Sequence, residues 1–179
     1  APVAAELSRH TRNAVHVITT FDSGGSSAEL RRAFDMPAVG DIRARIMALA
    51  DRSLEGNSET VELLGYRLPK DAGPEALHRE LASLASGAHP LVAAIPEPMN
   101  EVVTQHLSAF RSLMPVDMDL AGASIGNLIL TSGYLSLDRQ LEPVVRVFSG
   151  MVQARGVVMP VADSCAHLCV RLENGEVIV

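Results

Sequence analysis

The strongest constraint on the fold is a β-branched apolar run that leads directly into a glycine- and serine-rich turn. Residues 14–21 (AVHVITTF) have the composition of a buried strand. The turn at 22–27 (DSGGSS) follows at once, and residues 28–34 have the pattern of a short helix with Ser26 or Ser27 as its N-cap. A strand that passes through such a turn into a helix is a unit of α/β layer folds.

The rest of the chain is predominantly helical, with further strands near its end. Helices are predicted over 2–10, from Asp41 as a cap to about 50, over 60–66, 74–85, 98–114 and 124–135, and within 137–153. Strands are predicted over 157–162, 166–172 and 177–179, the last two forming a hairpin. With four Phe, two Tyr and no Trp in 179 residues, the core must be aliphatic, which suits helices packed on a parallel sheet.

Charge and apolar patterning exclude several classes of partner. The net charge of −6 disfavours binding to nucleic acid or to an anionic membrane, and no apolar run is long enough for a membrane span. Residues 1–52 hold seven arginines against six acidic residues and are the better place for an anionic ligand, and Lys70 is the only lysine. Cys165 and Cys169 fit no disulfide framework and are expected to be small buried residues, which indicates a cytoplasmic location.

The turn at 22–27 is the first candidate site. Its glycines allow positive φ and close approach of a ligand, while its serines and the free amides of the following helix can bind an anion. Asp22 ends the strand, where it can hold Mg²⁺, a ribose hydroxyl or a base edge. A tight turn with a helix cap would give the same pattern.

Two further segments carry polar groups next to glycines. Asp41 begins a helix within Gly40–Arg43, where it is either a plain N-cap or the partner of Asp22 in a two-carboxylate magnesium site. The segment 121–127 (AGASIGN) places Ser124, Gly126 and Asn127 before a very apolar run, as either a packing contact or a ligand contact. His16 lies in the predicted strand and is expected to be a core residue with its hydrogen bonds satisfied.

Four segments in a fixed order resemble the CofD/YvcK family, nearer its YvcK branch. They are FDSGGSSAELRRAF, PAVGDIRARIMALAD, LAGASIGNLIL and ARGVVMPVADSCAHLCVRLENGEVI. The family includes the 2-phospho-L-lactate transferases of deazaflavin-coenzyme synthesis and the gluconeogenesis factor that binds UDP-sugars. The resemblance implies an α/β fold, a Rossmann-like three-layer domain with a mostly parallel sheet. It covers about 1–67 and 119–179, so that 68–118 is expected to be a helical insertion in a single domain 1–179.

The sequence departs from the family pattern at several points. The family's first strand and its glycine-rich phosphate loop would precede Ala1, and its C-terminal half is also absent, so the chain is expected to be a portion of a longer one. Ser23 stands where the YvcK pattern has a second Asp, Ala44 where it has Asn, and Ala123 where it has His.

The resemblance implies a nucleotide or nucleotide-sugar ligand. Asp22 and Asp41 would be catalytic and would hold Mg²⁺. The residues expected around the nucleotide and its phosphates are Ser23, Gly24, Gly25, Ser26, Ser27, Gly40, Arg43, Ser124, Gly126 and Asn127. The implied function is transfer of a phospholactyl-type phosphate group from a nucleotide donor. The alternative is a regulator of carbon or cell-wall metabolism that binds a UDP-sugar without turnover, and a homo-oligomer is compatible with either.

Overall fold

A computed structural model describes residues 2–22 and 24–178, and about half of the chain is helical. The helices are α1 (Pro2–His10), α2 (Gly25–Phe34), α3 (Gly40–Leu49), α4 (Asn57–Gly65), α5 (Pro74–Ala85), α6 (Pro90–Ala93), α7 (Met99–Leu113), α8 (Ile125–Ser136) and α9 (Leu141–Met151). The strands are β1 (Val15–Ile18), β2 (Val157–Pro160), β3 (Val170–Arg171) and β4 (Val177–Ile178). The mixed α/β prediction is confirmed.

Strands β1 and β2 form a parallel pair in which Val15 faces Val157 and Ile18 faces Pro160. Helices α3 and α9 pack on this pair, and the buried side chains of Ile18 and Val158 lie on one of its faces. On the other face Val15 and Val17 are 58% and 61% exposed. The prediction that β1 is buried is therefore wrong, and within the described residues the three-layer arrangement is not seen because one face of the pair is uncovered.

Helix α8 is the centre of the hydrophobic core. It is apolar on nearly every side because α2, α3, α4, α7 and α9 surround it. Phe110 of α7 meets Phe34 of α2 edge to face, with ring centroids 5.9 Å apart. Leu81 and Leu107 are fully buried as well, so the segment 68–118 is helical and belongs to the same core. Its status as an insertion stays a prediction.

Both helices next to the candidate site begin one or more residues earlier than the sequence predicts. The N-cap of α2 is Gly24, so Ser26 and Ser27 lie in its first turn rather than at its cap. The N-cap of α3 is Val39, so Asp41 also lies in a first turn. Neither N-cap residue supplies a side-chain hydrogen bond, and the first-turn amides at these ends therefore have no side-chain cap.

The C-terminal segment differs most from its prediction. The hairpin of β3 and β4 is confirmed as an antiparallel pair, but β3 is only two residues long. Cys165 and Cys169 precede it in irregular backbone and are exposed, so the prediction that they are buried is wrong. His16 is also not satisfied, since its Nε2 is buried without a hydrogen-bond partner. In the described part of the chain no helix has the length and apolar character needed to cross a membrane.

Candidate functional site

Polar groups from three separate segments converge on the Cα atom of Gly40. A methyl group placed there would lie 2.6 Å from Ser27 Oγ, 3.9 Å from Asn127 Nδ2 and 4.0 Å from Asp22 Oδ2. Ser27 belongs to α2, Asn127 to α8, and Asp22 to the turn after β1. We call this group of four residues the Gly40 cradle. Only glycine at this position allows Ser27 Oγ to approach so closely.

The turn after β1 is shaped by its own hydrogen bonds and by Arg31. Asp22 Oδ1 accepts a hydrogen bond from the Gly24 amide at 2.9 Å, and α2 begins at Gly25 with a φ of +54° that suits glycine. Arg31 Nη1 donates to the carbonyl of Asp22 at 3.2 Å, and its Nη2 donates to the carbonyl of Ala166 at 2.7 Å. Arg31 therefore ties the turn to the C-terminal segment, although nothing in the sequence pattern pointed to this role.

Ser26, Asn127 and Arg43 form one hydrogen-bonded chain beside the cradle. Asn127 Nδ2 donates to Ser26 Oγ at 3.2 Å, and Arg43 Nε donates to Asn127 Oδ1 at 2.9 Å. These contacts fix the orientation of the Asn127 amide. Ser26 Oγ accepts a second bond from Arg67 Nη1 at 3.4 Å, which uses both of its acceptor positions. The hydroxyl hydrogen of Ser26 therefore remains to donate to a ligand oxygen.

Arg43 is a buried cation without an anionic partner among the described residues. The residue is 9% exposed, and none of the ion pairs within 2–22 and 24–178 includes it. Burial lowers the pKa of Arg43, and the charge of Arg67 lowers it further. A buried guanidinium held only by neutral acceptors makes the surrounding site favourable to an anion.

Ser124 and Gly126 lie behind the cradle and support Arg43. A methyl group at Gly126 would come within 2.6 Å of Arg43 Cδ and of the Leu64 carbonyl oxygen, so glycine leaves room for the arginine. The Ser124 hydroxyl is fully buried and donates to the same carbonyl at 3.4 Å. Direct contact of either residue with a ligand stays a prediction, and Ser23 lies outside the described residues.

Asp41 lies beside the cradle rather than in it. Its exposed side chain lines an opening of about 330 Å³ together with Ile18 and Thr19 at the end of β1. The described residues contain no cluster of three or more His, Cys, Asp or Glu side chains that could hold a metal. The binding of Mg²⁺ by Asp22 and Asp41 stays a prediction.

Two cations next to the cradle were missed by sequence reasoning. Arg67 and Lys70 line a cavity of about 460 Å³ that also includes Gly25 and Ser26 at the start of α2. The signal that could have found them is the single lysine in an arginine-rich chain, three residues after Arg67. Their segment lacks the helical or strand periodicity on which the sequence analysis relied.

Comparison with known proteins places these residues in a family context. The sequence model of the family described as 2-phospho-L-lactate transferase CofD matches residues 1–179. An uncharacterized protein of Saccharomyces cerevisiae, YNL011C, is 31% identical over 176 residues, covering 91% of this chain and 37% of the yeast protein. The gluconeogenesis factor of Bacillus subtilis is 26% identical over 162 residues, covering 90% of this chain and 35% of that factor. This chain thus spans little more than a third of these relatives.

The fold is also similar to a solved structure. The protein BH3568 of Bacillus halodurans, described as a member of the UPF0052 family, superimposes with a TM-score of 0.60 at 21% sequence identity. The match covers 98% of this chain and 41% of that protein. The likeness supports the observed arrangement of helices around a parallel strand pair.

Proposed function

The chain belongs to the CofD family of 2-phospho-L-lactate transferases, and we propose that it binds a nucleotide or nucleotide sugar at the Gly40 cradle. The convergence of Asp22, Ser27 and Asn127 on Gly40 is the observation that carries this proposal. It combines carboxylate oxygen, hydroxyl and amide groups at the carboxyl end of a parallel strand, where α/β folds bind ligands.

The phosphates of the ligand lie at the start of α2 in this proposal. Amides of the first helical turn and the hydroxyl hydrogen of Ser26 donate to phosphate oxygens, and the buried charge of Arg43 favours their negative charge. Asp22 and Asp41 would hold Mg²⁺ on the other side, and the ion would supply charge neutralisation for the phosphates. Ser23, between Asp22 and Gly24, is proposed as a further phosphate contact.

The reaction we propose is transfer of a phospholactyl-type phosphate to an acceptor alcohol. The acceptor oxygen attacks the phosphorus that carries the lactyl group, and a new P–O bond forms. The P–O bond to the nucleoside phosphate breaks, so a nucleoside monophosphate leaves with the bonding electrons. The hydroxyl proton passes to the surrounding water, since the carboxylates of Asp22 and Asp41 would be occupied by Mg²⁺. Such chemistry depends on positioning and on charge stabilisation, which the cradle supplies.

A non-catalytic regulator is the second candidate function. The residues at two positions support it: Ala123 and Ser23 carry no imidazole or carboxylate where the YvcK pattern has His and Asp. Several relatives are named gluconeogenesis factors. In this case the same cradle binds a UDP-sugar and no bond is broken.

Calorimetric titration and product analysis test both candidates. The wild type is expected to bind a nucleoside diphosphate more tightly with Mg²⁺ than without it, and the variant with Asp22→Ala and Asp41→Ala is expected to lose that metal-dependent binding. Unchanged affinity in the variant would refute the role of the two carboxylates. Release of nucleoside monophosphate from a lactyl-diphosphate nucleoside donor supports the enzyme, whereas saturable binding without product supports the regulator.

A further inference from the structure

A second polar cavity adjoins the cradle at Ser26. It is about 460 Å³ in volume and lies between the first turn of α2, the segment around Arg67, and residues 118–123. Ser26 connects it to the cradle, because Ser26 Oγ accepts hydrogen bonds from both Asn127 and Arg67. A ligand whose phosphate lies at the start of α2 can therefore extend into this cavity.

The backbone holds Arg67 in place at the mouth of the cavity. On one side of it the Leu68 amide donates to the Ala123 carbonyl at 2.9 Å, and on the other the Tyr66 carbonyl accepts from the Ile125 amide at 3.0 Å. The Tyr66 hydroxyl donates to Glu80, which raises the pKa of Tyr66 to about 12. These contacts fix the backbone on both sides of Arg67, and the hydrogen bond from its Nη1 to the Gly122 carbonyl orients the guanidinium.

Arg67 and Lys70 carry charge that no side chain in the described part of the molecule neutralises. Arg67 Nη1 donates to the Gly122 carbonyl at 3.0 Å, and the Lys70 side chain lies over Gly122, with Cγ 3.1 Å from the position a methyl group would take. No ion pair within 2–22 and 24–178 includes either residue. Both side chains are exposed at the cavity and keep donors available.

Of the two acidic residues that line the cavity, Glu29 is paired with a cation and Asp119 accepts a backbone hydrogen bond. Glu29 Oε1 lies 2.6 Å from Arg32 Nη2 and accepts from the Asp119 amide at 3.2 Å, and the hydrogen bond from Arg32 is the main cause of its lowered pKa. Asp119 Oδ1 accepts from the Ala121 amide at 2.8 Å. The cavity therefore presents two unpaired cations, Arg67 and Lys70, against one unpaired carboxylate, that of Asp119.

We propose that Arg67 and Lys70 bind a second anionic group of the ligand, a carboxylate or a terminal phosphate, while its first phosphate lies at the start of α2. This inference rests on the proposed nucleotide site and extends it. The planar guanidinium suits a two-oxygen anion, and the ammonium adds a mobile charge. The two residues thus select ligands with two anionic groups over ligands with one.

Two matched pairs of probes test the proposal and show whether the second anionic group is a carboxylate or a phosphate. 2-Phospho-L-lactate and isopropyl phosphate differ by one carboxylate, and the diphosphates of guanosine and uridine differ from their monophosphates by one phosphate. Calorimetry in the presence of Mg²⁺ is expected to show that, in at least one pair, the compound with the additional anionic group binds about tenfold more tightly than its partner. In the double variant with Arg67→Gln and Lys70→Gln this preference is expected to fall to about onefold.

The control variant is Arg79→Gln, which removes an exposed charge of α5 outside the cavity. It is expected to keep the preference. A preference that survives in the double variant would overturn the proposal, as would a wild type that binds monophosphates but shows no preference in either pair. Either of these results leaves the nucleotide site intact. A wild type that binds none of the probes would overturn both the nucleotide site and this extension.

Discussion

The two sides of the Gly40 cradle differ in how their charges are arranged. On one side Asp22 and Asp41 expose carboxylates to solvent at the end of β1. On the other side Arg43 is buried and tied to Asn127, and Arg67 is held at a cavity mouth. The site therefore separates its charges rather than pairing them, and our proposal assigns the metal ion to the carboxylates and the anion to the cations.

The largest expected effect comes from neutralising the carboxylate side. Asp22→Asn keeps an acceptor for the Gly24 amide but removes the charge needed for Mg²⁺. Nucleotide affinity measured by calorimetry is expected to fall about 100-fold with Mg²⁺ and to change little in a metal chelator. The control Asp71→Asn, at an exposed loop position, should leave affinity unchanged. An equal loss with and without metal would show that Asp22 acts only on the turn.

Giving Arg43 an anionic partner tests the cationic side. Asn127→Asp places a carboxylate where the amide now accepts from Arg43 Nε and removes the donor to Ser26 Oγ. We expect the free energy of unfolding to rise by about 1 kcal/mol, while nucleotide affinity falls about 30-fold because the added charge repels phosphate. Thermal unfolding and calorimetry measure the two changes. Nucleotide affinity equal to that of the wild type would contradict the separation of charges.

Adding a side chain at Gly40, between the two sides, should have an effect on nucleotide affinity that is smaller than those of the two preceding variants. Gly40→Ala brings a methyl group against Ser27 Oγ, and the resulting shift is expected to weaken nucleotide binding about tenfold and destabilise the chain by about 1 kcal/mol. The double variant with Ser27→Ala should recover part of the stability. Gly150→Ala is the matched control, because a methyl group there meets no atom within 4 Å. It should be neutral or slightly stabilising, and equal effects at both glycines would rule out a close-packed cradle.

The smallest expected effect concerns His106, which belongs to neither side of the cradle. It is an effect on stability and not on nucleotide binding. Burial lowers the pKa of His106 in α7 below its ordinary value of 6.5, so the folded state favours the neutral ring. The unfolded chain takes up this proton more readily, and stability is therefore lost as the pH falls through about 6.5. His106→Gln should reduce the drop in Tm between pH 7.5 and 5.5 by about 2 °C. If the drop in Tm is unchanged in the variant, other titratable groups cause it.

Local patterns predicted much of the fold, whereas the arrangement of the site depends on contacts that sequence does not show. The bounds of α5 follow from Pro74 and the break after Ala85, and they agree with the structure. The exposure of Val15 and Val17 could not be predicted, because β-branched residues favour a strand whether or not another layer covers it.

The residues of the candidate site show the same contrast between local sequence patterns and long-range contacts. The turn at 22–27 and the segments around Gly40 and Asn127 could be selected from glycine and polar residues before or after regular elements. Asn127 accepts a hydrogen bond from Arg43, which is 84 residues away in the sequence. Ser26 accepts one from Arg67, which is 41 residues away. Such long-range pairs carry no local signal in a single sequence.

The central claim is that the first turn of α2, Gly40 and Asn127 belong to one binding site, and NMR titration tests it most directly. Addition of a nucleoside diphosphate with Mg²⁺ is expected to shift the backbone amide signals of Gly25 and Gly40 and the side-chain amide signals of Asn127 along curves that share one Kd. Shifts confined to other regions, or separate Kd values for these three residues, would contradict the account.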